Sequence, residues 1–249
     1  MNADTIAIQA IHLTKEFKLS HQPYSSLKGL LLSFLPKRVE RMTALRNLNF
    51  TISKGETVAL IGRNGSGKST LLGIIARVYL PTSGQICVNG RVAPLLELGA
   101  GFHPDLTGIE NIFFNGVILG LTRKQVAERL PQIVEFAELE EYIDAPVRTY
   151  SSGMLMRLGF AVASHVDADI LLVDEVLAVG DARFQQKCYQ KIQQFQQEGR
   201  TILFVSHDME AVRQVAGRAI WLDEGTIRAD GETETVVQQY LQAQTAQLV

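Results

Sequence analysis

The sequence predicts an α/β fold: a mostly parallel sheet with helices on both faces, joined to an N-terminal antiparallel β-region and an inserted helical subdomain. Three observations predict it. Short apolar runs alternate with stretches of helical periodicity, as in a sheet covered by helices. A glycine-rich loop stands directly between one such run and a helical start. The 249 residues, 46% hydrophobic and 20% charged, have the composition of a folded chain. At this length folding removes roughly three-quarters of the unfolded surface from water, so neither disulfides nor a structural metal are needed.

Taken in chain order, Ile6 to Leu13 and Asn49 to Ile52 read as the N-terminal β-region. The segment 21–46 stands apart, with Lys28, Lys37, Arg38, Arg41 and Arg46 against Glu40 alone. Within it Leu27, Leu30, Leu31, Phe34 and Leu35 fall at i, i+3, i+4, i+7 and i+8, an amphipathic pattern with Ser25 or Ser26 as N-cap and Pro36 as stop. A surface helix is expected over 24–41, with its stripe against either an anionic membrane face or the protein's own β-region. Thr57 to Ile61, Ile170 to Val173 and Thr201 to Val205 have the length and apolar continuity of buried parallel strands. From about Thr107 to Val166 the pattern is helical, with Leu130, Ile133, Val134 and Ala137 at helix spacing. Ala219 to Leu222, followed by Gly225 and Ile227, predicts a late hairpin, and the Gln- and Ala-rich tail from Gln238 reads as a surface helix or a frayed end.

Charge and cysteine usage narrow the function classes. Lys plus Arg number 24 against 26 Asp plus Glu, a net charge of −2, without the positive excess of an electrostatic nucleic-acid binder. Cys87 and Cys188 are far apart and lack neighbours at metal-ligand spacing, so they read as free thiols in a reducing compartment. The start of the chain has no basic and apolar signal pattern, and no stretch approaches the ~18–20 apolar residues needed to span a bilayer. A soluble, cytoplasmic protein is expected.

Two motifs carry chemistry. Gly62-Arg63-Asn64-Gly65-Ser66-Gly67-Lys68-Ser69-Thr70 satisfies G-x-x-x-x-G-K-[ST] after a buried-type strand and before the helical start Leu71-Leu72. The glycines let backbone N–H groups turn inward around a β-phosphate, Lys68 reaches the β- and γ-phosphates, and the Ser69 hydroxyl ligates Mg²⁺. The strand from Ile170 ends in Asp174-Glu175, where a nucleotide hydrolase needs one carboxylate for Mg²⁺ (Asp174) and a second as general base for the attacking water (Glu175).

With these motifs the chain resembles the ATPase subunits of ABC transporters over nearly its whole length. Tyr150-Ser151-Ser152-Gly153-Met154 is similar to that family's LSGGQ signature and lies between the phosphate loop and Asp174-Glu175 in the family's order, with Ser152 in place of the first Gly and Met154 in place of Gln. Ser151 and Gly153 keep the hydroxyl and bare backbone that would meet a γ-phosphate at a helix N-terminus. The resemblance further implies that His207 is the switch histidine contacting the γ-phosphate and that Asp181 ends the D-loop at a dimer interface. It implies that Phe17 stacks on adenine, although the residue alone reads equally as a core Phe ending the first strand. The family's Q-loop glutamine is missing; Glu97 lies nearest its place, as a Mg²⁺ ligand or a solvated loop acid. On the same basis 1–95 and 167–249 would form the nucleotide-binding core, 96–166 the helical subdomain and 21–46 an N-terminal insert.

Leu96 to Gly108, Tyr150 to Met154 and Asp174 to Asp181 resemble the branch that exports O-antigens, capsules or teichoic acids, some of whose members add a carbohydrate-binding domain for which this chain is too short. The resemblance implies ATP and Mg²⁺ as cofactors and a homodimer of ATPase subunits. It also implies an integral membrane subunit pair handling a lipid-linked polysaccharide, no nucleic acid, and a peripheral location on the cytoplasmic face of the plasma membrane. A soluble mechanoenzyme of the same superfamily lacks support from a second phosphate loop, heptads or basic excess; a non-hydrolysing module is opposed by Lys68, Asp174, Glu175 and His207.

Overall fold

The computed structural model describes residues 5–19, 40–95, 99, 101–174 and 181–246. Two long strands open it, β1 (Ile6–Leu19) and β2 (Glu40–Ser53), followed by β3 (Thr57–Ile61), α1 (Lys68–Ile75), β4 (Ser83–Val88) and β5 (Val92–Leu95). Three helices come next: α2 (Gly108–Ile118), α3 (Arg123–Ala137) and α4 (Ser152–Ala163), with a 3-10 turn at Val147–Thr149. The chain then returns through β6 (Ile170–Asp174), α5 (Ala182–Gln197), β7 (Thr201–Val205), α6 (Met209–Val215), β8 (Arg218–Asp223), β9 (Thr226–Glu232) and α7 (Thr233–Ala246).

A six-stranded sheet in the order β5-β6-β7-β3-β8-β9 is parallel except for its last strand. Its strands are apolar throughout because both faces are covered, and alternate residues serve different cores. Ala59, Ile61, Leu171, Val173, Ile202 and Phe204 belong to one core with the apolar sides of α2 to α7. Val58, Leu60, Ile170, Leu172, Leu203 and Val205 belong to the other, with α1 and a separate antiparallel sheet β2-β1-β4. The expected cover of helices on both faces is therefore corrected: on the second face one helix and a sheet do the covering. β1 and β2 alternate buried with more exposed residues, which suits a sheet with one wet face.

The other expectations fare unevenly. β3 and β7 span the expected residues, and β6 runs from Ile170 to the expected Asp174. β4 and β5 had no counterpart in the sequence reading; β4 is an edge strand whose residues are all exposed or half-buried, so it carries no apolar run to detect. The described part of the tail, Gln238 to Ala246, is the surface helix expected: it continues α7, and only Tyr240 of it is buried. Of the helix expected over 24–41, Glu40 and Arg41 instead open β2. Its residues 24–39, like Glu97 and Glu175, lie outside the described residues.

The helices begin where local chemistry directs. Thr107 with Glu110, and Thr122 with Gln125, form reciprocal capping boxes that satisfy two otherwise orphaned N–H donors at the starts of α2 and α3. Phe136 of α3, Phe160 of α4 and Phe184 of α5 meet with ring centroids 5.8 to 6.4 Å apart, tying the inserted helices to the helix that follows the site strand. Burial pushes the Cys188 thiol of α5 up to about 12, so it behaves as a small apolar group.

Phe160→Ala empties the centre of this aromatic cluster and is expected to cost ~3–5 kcal/mol. Phe114→Ala, at a half-exposed position of α2, should cost no more than about 0.5 kcal/mol. Urea unfolding midpoints of the two variants check both values.

Candidate active site

The site lies at the carboxyl ends of the parallel strands. From β3 the chain runs toward the β5 edge, and from the neighbouring β7 it runs toward β8, so the strand order reverses between β3 and β7. Such a switch point opens a crevice beyond the strand ends. Register then sets the level of the groups around it. Leu60 of β3 and Asp174 of β6 both pair with Val205 of β7, so the three strands end in one row. At ~4.8 Å per strand spacing, Asp174 stands about 10 Å across the sheet from the end of β3.

From that end the chain enters the loop Gly62 to Gly67. Gly62, Gly65 and Gly67 take φ of 150°, 80° and 108°, values that side-chain-bearing residues rarely adopt. At Gly62 a Cβ would lie 2.1 Å from the Leu222 carbonyl oxygen, and at Gly67 it would lie 2.7 Å from both the Ala44 oxygen and Leu45 Cδ2. Gly65 faces open space, so two glycines press the loop onto β8 and β2 while the third leaves its outer side bare.

The hairpin turn between β8 and β9 holds the loop in place. Glu224 and Gly225 have φ of 45° and 78°, as the centre of a two-residue type I′ turn requires. The Gly225 N–H donates to the Ser66 carbonyl at 3.0 Å, and the Gly225 carbonyl accepts from the Arg46 N–H at 2.7 Å. One residue of the late hairpin thus joins the loop to β2. Sequence reasoning found the hairpin but not this contact, because Gly225 carries no chemical signal beyond permitting the turn.

The loop delivers the chain into α1 with its N-terminus bare. Gly67 supplies no side-chain cap, and no acid stands in the first turn to occupy the positive end of the helix. The Ser66 hydroxyl is buried without a hydrogen-bond partner. Lys68, only 7% exposed, folds its ammonium back to the carbonyls of Gly62 and Arg63 at 2.7 and 3.0 Å. A glycine cradle, an uncapped helix start, an orphaned hydroxyl and a buried ammonium together fit a chain of phosphates. Ser69 and Thr70 follow in the first turn, Ser69 exposed, and Asn64 is exposed on the loop.

His207 follows β7 and is exposed. Ser206 Oγ accepts from the Asp208 N–H at 3.0 Å, and Asp208 caps α6 by accepting from Glu210 and Ala211, so His207 sits between two pinned residues at the level of the loop. Phe17 pairs with Met42 in the β1–β2 ladder, two residues from the Ala44 carbonyl that backs Gly67.

Other expected site residues belong to other elements. Ser151 is the N-cap of α4, its hydroxyl accepting from the Met154 N–H at 3.2 Å, and Ser152 and Gly153 open that helix. A Cβ on Gly153 would meet nothing nearer than Ser151 Oγ at 3.9 Å, so this helix start is open, and α4 packs chiefly on α3, α2 and β5. Asp181 caps α5, accepting from the Phe184 N–H at 2.9 Å. Among the described residues no group of three or more His, Cys, Asp or Glu stands ready for a metal ion.

Residues 45–178 match the family described as ABC transporter. The chain belongs to the ABC transporter family. It is 52% identical over 238 residues to an O-antigen export system ATP-binding protein, RfbB, of Klebsiella pneumoniae, covering 93% of this chain and 96% of that one. A teichoic acids export ATP-binding protein, TagH, of Bacillus anthracis is 41% identical, covering 92% of this chain and 41% of that one. In fold, this ABC ATPase is similar to the ATP-binding cassette MJ0796 in a dimeric state bound to ADP and phosphate, with a TM-score of 0.74 at 22% identity, over 91% of this chain and 98% of that one. Family membership makes the protein an ATPase that couples hydrolysis to transport.

Gly225→Ala places a Cβ 2.6 Å from the Ala44 oxygen at a φ of 78°. Strain of ~1–3 kcal/mol passed to the Ser66 carbonyl should weaken ATP binding by about 5- to 150-fold. Calorimetric titration with ATP checks this, with circular dichroism confirming that the variant is folded.

Proposed function

We propose that this chain is the ATP-hydrolysing subunit of an exporter that moves a lipid-linked, O-antigen-type polysaccharide across the cytoplasmic membrane. The observation that carries the substrate class is the 52% identity to an O-antigen export ATP-binding protein, sustained over nearly the whole of both chains. The similarity to teichoic acid export ATP-binding proteins is lower, at 41% and 42% identity. No helix among the described residues is long and apolar enough to cross a membrane. In this proposal a pair of integral membrane subunits supplies the path and handles most of the polymer, while two copies of this chain sit at the cytoplasmic face.

Within the site, Phe17 stacks on adenine and the loop Gly62, Asn64, Gly65, Ser66, Gly67, Lys68, Ser69, Thr70 wraps the phosphates. Ser69 and Asp174, with Glu97 from the segment before α2, are the ligands we assign to Mg²⁺. That ion, when bound, offsets the charge of the β- and γ-phosphate oxygens. Lys68 leaves its loop carbonyls for the phosphates, which exchanges a neutral acceptor for a charged one. Glu175 adjoins Asp174 in the chain; it takes the proton of the attacking water while His207 orients that water and the γ-phosphate.

One subunit leaves the open side of the loop, at Gly65, to solvent. The helix start at Ser151, Ser152 and Gly153 presents free donors on a different packing unit, so we assign it to the loop of a second copy. Asp181 then lies along the shared interface. Closure of the pair would exclude water from the γ-phosphate and complete its hydrogen bonding.

Lys68→Ala should abolish both binding and hydrolysis of ATP. Glu175→Gln should retain binding and lose hydrolysis by at least ~100-fold, because it removes only the base. Neither variant should restore surface polysaccharide to a cell lacking the gene, and lipid-linked polymer should accumulate inside. Polymer immunoblots of cell surface and cytoplasmic fractions, beside phosphate release from the purified protein, check these outcomes. Normal surface polymer in the deletion strain would refute the export assignment while leaving the ATPase assignment standing.

A further inference from the structure

Phe17 does not stand alone. On β1, Lys15 and Phe17 are two residues apart and share a side of the strand. The Lys15 ammonium lies 4.9 Å from the centre of the Phe17 ring and 5.7 Å from that of Tyr79. The Phe17 and Tyr79 rings are 5.5 Å apart and nearly perpendicular, at 86°. These three separations close a triangle that is almost equilateral. Lys15 and Tyr79 therefore approach the Phe17 ring from neighbouring directions, and neither lies in the direction opposite the other.

The group is anchored at each corner. Tyr79 follows the end of α1, and both its N–H and that of Val78 donate to the Gly73 carbonyl at 3.1 and 2.8 Å. The Cδ2–Cε2 edge of its ring rests on Gly73, where a Cβ would come within 2.7 Å of Cδ2 and 2.8 Å of Cε2. Lys15 donates to the Leu80 carbonyl at 2.8 Å, which holds the ammonium between the two rings. The Glu16 N–H donates to Thr82 Oγ1 at 2.9 Å, and the Thr82 N–H donates to the Thr14 carbonyl at 2.8 Å, fastening β1 to the segment that carries Tyr79. The same helix that begins at the phosphate cradle thus ends, three residues before Val78, at the support of Phe17.

We propose that Tyr79 and Lys15 are positioning residues for the nucleotide base. They back the Phe17 ring from one side and present its other face to adenine at a fixed distance from the phosphates. A ring free to rotate loses entropy on stacking; a ring held edge-on by a second aromatic and an ammonium has already lost it. Lys15 also leaves the ring with a cation–π partner on the side away from the base. This inference rests on the assignment of Phe17 to adenine, and it goes beyond that assignment in naming what sets the ring's orientation and why Gly73 is needed beneath Tyr79.

The test compares binding of ATP with binding of inorganic tripolyphosphate, both with Mg²⁺, to the wild-type protein and to Phe17→Leu, Tyr79→Leu, Tyr79→Phe and Lys15→Met. Tyr79→Leu and Lys15→Met should each weaken ATP binding by about 3- to 10-fold and leave tripolyphosphate binding unchanged. Tyr79→Phe, which keeps the ring, should bind ATP within about 2-fold of wild type. Phe17→Leu should lose at least as much ATP affinity as Tyr79→Leu. Wild-type ATP binding by Tyr79→Leu alongside a loss in Phe17→Leu would overturn the inference. So would an equal loss for ATP and tripolyphosphate, which would mean that Tyr79 acts through α1 on the phosphates. A Phe17→Leu variant that bound ATP as wild type would instead overturn the adenine assignment itself.

Discussion

Everything at this site depends on one backbone conformation being held open before any phosphate arrives. A loop whose N–H groups converge on an anion is unfavourable alone, because its donors repel each other and its glycines lose more freedom than other residues on folding. Here the cost is offset from outside the loop. The Leu222 and Ala44 carbonyls fill the space where side chains would stand on Gly62 and Gly67, and Gly225 bridges Ser66 to Arg46 through two backbone hydrogen bonds. The loop is shaped by β2 and β8, two strands on different sheets, the second about 150 residues further along the chain (Arg218 against Gly67).

That dependence explains the arrangement of the two cores. The antiparallel sheet does more than cover one face of the central sheet: it carries Ala44 to the back of the loop, Phe17 to its flank and Thr14 to the segment beyond α1. The opposite core, through the cluster of Phe136, Phe160 and Phe184, joins α4 to α5. Glu138, at the end of α3 with a φ of 57°, sharpens this joint by pairing with Lys187 of α5 at 3.2 Å and Arg157 of α4 at 3.8 Å. Lys187 also donates to the Phe136 carbonyl at 2.9 Å, a cation at a helix C-terminus. Ser151 and Asp181, which cap the two helices joined here, therefore belong to one packed body.

The central strands were legible because burial on both faces writes itself as an unbroken apolar run, as in Thr57 to Ile61 and Thr201 to Val205. The phosphate loop was legible for a different reason: its chemistry demands glycines and a lysine at fixed spacing. The supports were not. β4 is half wet, α7 buries Val236 and Val237 just before a glutamine-rich segment and Tyr240 within it, and Ala44, Leu222 and Gly225 act through backbone atoms that every residue possesses. Tyr79 has no motif at all, since its role follows from lying over Gly73 and beside Phe17. Side chains that react leave a pattern in the sequence, whereas backbone that positions them leaves only the permission of a glycine.

The most direct test of a preformed cradle is amide hydrogen exchange of the free protein and its ATP complex. The Arg46 and Gly225 amides should already be protected without nucleotide, because their hydrogen bonds clamp the loop in the free protein, and ATP should add protection at Gly62 to Thr70 and, where the pair closes, at Ser152 and Gly153, but not at Arg46 and Gly225. Rapid exchange at Arg46 and Gly225 in the free protein, slowed together with the loop when ATP binds, would contradict the account and show that the nucleotide itself builds the cradle.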